Sequence, residues 1–198
     1  MNLGNIADIR TGLVLTRKKV EVGNEVKATY NLITLKNITE DGVFNDEPFE
    51  VFQSNDLLNN QHFTEAGDVL IRLNYPHTSV FIDETKSGLL VPSYFAIIKV
   101  DQSKFVSEYV AWYLNTDSVK KELERSQAGT RIPSTNKSAL NSIPIEDISI
   151  SKQQAVIKLW RLHQREKTLY NRLIEEKEKW FNAITKQIVQ GEIREELE

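Results

Sequence analysis

Ser151-Lys152-Gln153-Gln154 opens, and Gly191 closes, the stretch that decides how this chain is organised. Ser151 with Gln154 three residues on fits a capping box, in which the hydroxyl takes an orphan amide and Gln154 reaches back to the cap's own N–H. Ile150 and Ala155 flank it as a staple. Gly191 follows the last apolar pair, Ile188 and Val189, where a left-handed residue ends a helix without a Cβ penalty. At 1.5 Å per residue the enclosed helix would be roughly 58 Å long. A compact domain of this size cannot cover it.

Between those marks, Ala155, Leu159, Leu162, Glu166, Leu169, Leu173, Glu176, Trp180, Ala183 and Gln187 follow a 3-4 spacing, and seven of these ten are apolar. Trp160, Tyr170, Ile174, Phe181, Ile184 and Ile188 widen the stripe beyond a narrow seam. Glu166, Glu176 and Gln187 interrupt a parallel zipper, so the expectation is an antiparallel partner helix meeting Leu159, Leu162, Leu169, Leu173, Trp180 and Ile184. The simpler alternative folds the helix back on its own domain.

Working outward, the residues before the helix read first as strands and then as short helices. Leu3 to Gly12 shows short apolar alternation; Tyr30 to Ile38, Val51-Phe52, Val69 to Arg72, Val80 to Ile82, Leu89 to Val91 and Tyr94 to Val100 read as strands, with Asp41-Gly42 as a hairpin signal. Asn55 to Phe63 reads as loop or short helix. From Phe105 the period turns helical, with Val106, Tyr109, Val110, Tyr113 and Leu114 on one face and Thr116 as cap of a second helix to Arg125. Ser134 to Leu140 reads as a helical turn. The fold class is therefore α+β: a strand-rich domain over 1–148, one long helix over 149–191 and a tail over 192–198.

Composition sets outer bounds. With 40% apolar and 27% charged residues over 198, the chain can bury a core, and the absence of cysteine rules out disulfides and thiolate metal sites. No basic-then-apolar leader opens the sequence and no apolar run reaches spanning length, so the expected location is cytoplasmic, with no membrane partner. The net charge of -3 hides a segregation. Residues 1–20 carry four basic side chains against one acidic, 21–58 two against eight, and 151–190 nine against four. An acidic chain can thus offer a basic face to a polyanion, although solvated helix faces also collect Lys and Arg.

Catalytic constellations are sparse. Asp68 followed by Glu84-Thr85-Lys86 fits the loose carboxylate…Glu-x-Lys spacing of Mg²⁺-dependent nucleases, but Asp68 is also an ordinary turn residue beside Gly67. Asn74-Tyr75-Pro76-His77 has the wrong order for an amino-methyltransferase loop, and no Gly-rich cofactor loop follows a strand. His62, His77 and His163 are scattered without metal-ligand spacing. No P-loop or nucleophile elbow occurs. No cofactor, metal or catalytic residue is expected.

Taken in order, several short motifs carry a family resemblance: Leu3-Gly4-Asn5-Ile6-Ala7-Asp8-Ile9 through Gly12; Ala66-Gly67-Asp68-Val69-Leu70-Ile71; Glu108 to Asn115; Gly129-Thr130; Leu140-Asn141-Ser142-Ile143-Pro144-Ile145; and Gln153-Gln154-Ala155-Val156-Ile157. Together they resemble the specificity (S) subunits of prokaryotic type I restriction–modification systems. Glu146-Asp147-Ile148-Ser149 departs from the proline-richer stretch usual there. The resemblance implies a target-recognition domain followed by a helical spacer, a unit that full-length members carry twice and this chain once. It further implies a half-length specificity subunit whose terminal helix pairs with a second copy as an antiparallel coiled coil. Each copy would meet one half-site of a bipartite target in double-stranded DNA, with methylation and cleavage residing in separate modification and restriction subunits.

On that reading, phosphates would be met by Lys and Arg and base edges by loop side chains. The candidates are Arg17, Lys18, Lys19, Arg72, Asn74, Tyr75, His77, Thr78, Arg131 and Lys137. The alternatives are the Asp68, Glu84 and Lys86 nuclease, or a module that binds protein or carbohydrate and uses the helix only to oligomerise.

Overall fold

The computed structural model describes residues 1–21, 23–125 and 135–190. They form an α+β protein of six strands and four α-helices among the described residues, with short 3₁₀ turns between them. The chain divides into two compact units, Met1–Gln154 and Ala155–Glu198.

In the first unit, β1 (Ala7–Thr11), β6 (Phe95–Val100), β4 (Asp68–Arg72) and β5 (Ser79–Phe81) lie in that order in one antiparallel sheet. A hairpin of β2 (Ala28–Leu32) and β3 (Glu50–Ser54) forms a second. Val69, Leu70 and Ile71 run without polar alternation because both faces of β4 are covered. On one face Leu70 joins Ile33, Val80, Ile82, Val91, Phe95 and Ile97. Helix α1 (Ser107–Leu114) packs against β4 and β5, and the short α3 (Lys137–Ser142) packs beside β1. Gly12 passes so close to Val91 and Pro92 that a Cβ would collide with their carbonyls, which accounts for glycine at the end of β1.

Some local expectations shift. The strand read from Tyr30 stops at Leu32, because Asn37 Oδ1 accepts from the Thr34 amide (2.8 Å) and hydroxyl (3.0 Å) and turns Leu35–Asn37 into a 3₁₀ helix. The Asp41-Gly42 hairpin is a tight turn, with Gly42 at φ 77° and the Thr39 amide bonded to Val43 O at 2.9 Å. Asn115 follows α1 and acts like a neighbouring strand to the edge of β5. Its Oδ1 accepts from the Ser79 amide (2.9 Å) and its Nδ2 donates to the Ser79 carbonyl (2.8 Å).

Helix α4 runs from Ile150 to Val189, 40 residues or roughly 60 Å. Its cap is Ser149, not Ser151: Ser149 O accepts from the Gln153 amide (3.0 Å) and Ser149 Oγ from the Lys152 amide (3.4 Å). Gln153, not Gln154, turns inward. It is 0% exposed, accepts from the Val106 amide (2.8 Å) and donates to Lys104 O (3.2 Å) and Ile148 O (2.9 Å). Gly191 and the tail lie outside the described residues.

The second unit keeps its apolar stripe in solvent. Leu159 is 68% and Trp180 65% exposed, and Leu162, Leu169, Tyr170, Leu173, Ile174 and Phe181 are each at least half exposed; Ile184 is partly so. No helix among the described residues is long and apolar enough to cross a membrane.

Candidate nucleic-acid interface

The antiparallel registers bring four strand ends together. Thr11 at the end of β1 pairs with Ala96, Arg72 at the end of β4 pairs with Phe95, and Ile71 pairs with Ser79 at the start of β5. Two of the candidate segments picked out by sequence leave from this end of the sheet.

The first follows β1. Arg17 closes the 3₁₀ turn Leu15–Arg17 and is exposed, as is Lys19; neither makes an ion pair with the described residues. Lys18 is committed elsewhere, its ammonium 2.7 Å from Asp56 Oδ2, and that contact holds the Asp56 carboxyl below the usual carboxylate range. Pairing of Lys18 O with the Asn55 amide and of the Val20 amide with Gln53 O fixes the segment against β3.

The second is the β4–β5 connection. Asn74 and Tyr75 are exposed at its tip, Tyr75 by 62%, while His77 and Thr78 are buried. The sequence placed all four among the base- and phosphate-facing candidates. Burial separates them into a tip and a foundation, since His77 at φ 54° reaches back to the Arg72 carbonyl (Nδ1···O 3.3 Å) and sets its ring edge-on to Tyr75. Arg72 is half-buried; burial lowers its pKa, and the charge of Glu40 raises it.

Lys137 is exposed at the start of α3, whose cap Asn136 accepts from the Ala139 amide at 3.0 Å. Just before it, the Thr135 amide donates to Leu73 O at 2.7 Å, tying this segment to the β4–β5 connection. Arg131 lies outside the described residues. Sequence reasoning passed over Thr135 and Asn115. Thr135 carried no local signal; Asn115 stood in a motif but its contact with Ser79, 36 residues away, is not a local property.

The nuclease triad is not assembled as a metal centre. Asp68 Oδ1 is 3.1 Å from Lys99 Nζ and its other oxygen accepts from the Glu65 amide at 2.9 Å. Burial raises the Asp68 pKa against those two contacts. Lys86 sets its ammonium 5.5 Å from the ring centres of both Phe44 and Phe49, and Glu84 stands in the 3₁₀ turn Glu84–Lys86 capped by Asp83. Among the described residues no group of three or more His, Asp or Glu is placed to hold a metal ion.

No family model and no curated protein matches the sequence. Solved structures do match the fold. One comes from work titled "Structural basis underlying complex assembly and conformational transition of the type I R-M system", at TM-score 0.67 and 13% identity over 100% of this chain and 50% of that one. Another is the crystal structure of the HsdS subunit from Thermoanaerobacter tengcongensis, at TM-score 0.64 and 15% identity over 93% of this chain and 46% of that one. The chain therefore shares its fold with a structure from that work on the type I R-M system and with the HsdS subunit, and spans about half the length of the chains it matches.

Proposed function

We propose that this chain is a non-catalytic specificity subunit of a type I restriction–modification system, acting in the cytoplasm as a homodimer on double-stranded DNA. Residues 1–148 form the target-recognition domain and 149–191 the spacer and dimerisation helix. The observation that carries this reading is the fold match over 93–100% of this chain to about half of a longer one. On this reading a second copy would supply the counterpart of the other half.

The bare stripe of α4 supports pairing, and its charges favour antiparallel order. From 155 to 172 the helix carries five basic residues and one acidic, and from 173 to 189 three of each. Parallel copies would set the two basic halves side by side; antiparallel copies avoid it. An antiparallel pair is two-fold and self-closing, so the two recognition domains meet inverted half-sites of a bipartite sequence.

In each domain Arg17, Lys19, Arg72 and Lys137 meet phosphates, and Asn74 and Tyr75, held out on the buried foundation of His77 and Thr78, meet the bases. Modification and restriction subunits supply the chemistry. Co-expression with such subunits followed by mapping of methylated bases tests the assignment: an interrupted palindromic motif is expected. DNA cut by the purified chain with Mg²⁺ alone would contradict it, and indifference to DNA would favour an interaction module for other partners.

A further inference from the structure

Five buried side-chain polar atoms among the described residues have no hydrogen-bond partner: His62 Nδ1, Arg72 Nε, Thr78 Oγ1, Ser107 Oγ and Thr135 Oγ1. Three of the five belong to one junction. The Arg72 amide donates to the Thr78 carbonyl at 2.9 Å, which continues the β4–β5 register one pair beyond Ile71 and Ser79. Directly opposed residues of an antiparallel pair project from the same face with Cβ atoms about 4.5–5.5 Å apart. Arg72 and Thr78 are therefore neighbours in side chain as well as backbone. Thr135 is tied to the next residue along, its amide on Leu73 O.

Buried polar atoms in folded proteins are ordinarily satisfied, and this chain does so elsewhere. Gln153 and Asn115 find several partners each. At the junction a half-buried guanidinium has lost water around Nε without gaining an acceptor, and the Thr78 hydroxyl, in a residue 0% exposed, has no partner at all. Arg72 Nε–H can only donate and the Thr78 hydroxyl can donate as well as accept, so one oxygen acceptor placed between them would serve both, and a charged one suits the guanidinium.

We propose that Arg72 and Thr78, with Thr135 beside them, form a seat for a single oxyanion, and that in the DNA-bound protein one backbone phosphate takes it. The proposal rests on the DNA reading above for the source of the phosphate, but not for the seat. Both orphan atoms are shut from solvent, so seating the anion would require the half-buried Arg72 side chain to move. Glu40, exposed near Arg72, is the acid the phosphate must outcompete.

The test pairs two readouts that a merely structural role would move together. Arg72→Met keeps much of the stem and removes the guanidinium with its orphan Nε–H; Thr78→Val keeps the shape and removes the orphan hydroxyl. Each raises Tm by a few degrees, about what relief of one orphan group yields. Each also weakens binding to a mixed-sequence duplex in fluorescence anisotropy, Arg72→Met by roughly tenfold with the slope of log K on log salt reduced by about one. In the double variant Thr78→Val adds no further loss, and Glu40→Gln tightens binding. Unchanged affinity in Arg72→Met, while Arg17→Ala or Lys19→Ala still weakens binding, overturns the seat and leaves the DNA reading intact. Absence of duplex binding by the unaltered chain overturns the DNA reading instead. The seat is then judged with inorganic phosphate, which must shift the Arg72 Nε–H NMR resonance, identified by its loss in Arg72→Met. No shift overturns it.

Discussion

The two units treat the same kinds of side chain in opposite ways. In the first unit, Val69, Leu70 and Ile71 are sealed on both faces, and the polar side chains of buried Gln153 and half-buried Asn115 each find several hydrogen-bond partners. In the helix from Ala155 onward, Leu162, Leu169, Leu173, Trp180 and Phe181 stand in solvent. An isolated leucine at a surface is unremarkable, but a stripe of this length is a surface shaped for a partner. The first unit buries its own core, and on the reading proposed above the second would complete its burial against a partner.

The largest effect that could break this contrast is on association. Replacing Leu169 and Leu173 by Asp should abolish self-association, because pairing would bury unpaired charges, and should leave the melting of the first unit unchanged. Analytical ultracentrifugation beside calorimetry checks both halves of that statement. Leu70→Ala should do the reverse: about 2–5 kcal/mol lost from unfolding of the first unit by chemical denaturation, with the helix still able to pair. Asn115→Ala strands the Ser79 amide and carbonyl and should cost about 2 kcal/mol in the same assay, loosening the edge strand β5 on which the β4–β5 connection depends.

The smallest effect is on pH. Burial holds the His62 imidazole below its ordinary pKa, so the folded chain prefers it neutral. Stability from this source is present above the unfolded value of about 6.5 and is lost as pH falls from there through the folded value. His62→Asn should flatten that part of a Tm-against-pH profile. Asp68 has the opposite sign: burial raises its pKa above the unfolded value, so its contribution is present at acid pH and fades as pH rises through the folded value.

What the sequence made legible were features written in local pattern. The 3-4 period marked α4, the unbroken Val69-Leu70-Ile71 run marked a strand, and Val106 to Leu114 marked α1. Strand order β1-β6-β4-β5 was not legible, because pairing Ile9 with Ile98 depends on chain closure over many residues and not on either segment alone. Caps moved by one or two positions where tertiary contacts outbid local ones, as when the burial of Gln153 carried the helix start back to Ser149. In the candidate interface, polarity alone could not separate exposed Asn74 and Tyr75 from buried His77 and Thr78, since both pairs look like surface residues until the chain is folded.

Sedimentation equilibrium on the purified chain decides whether α4 pairs with a second copy. A dimer with the full helical content of α4 is expected, becoming monomeric when Leu169 and Leu173 carry Asp. A monomer at all concentrations, with the long helix intact by circular dichroism, would contradict that pairing.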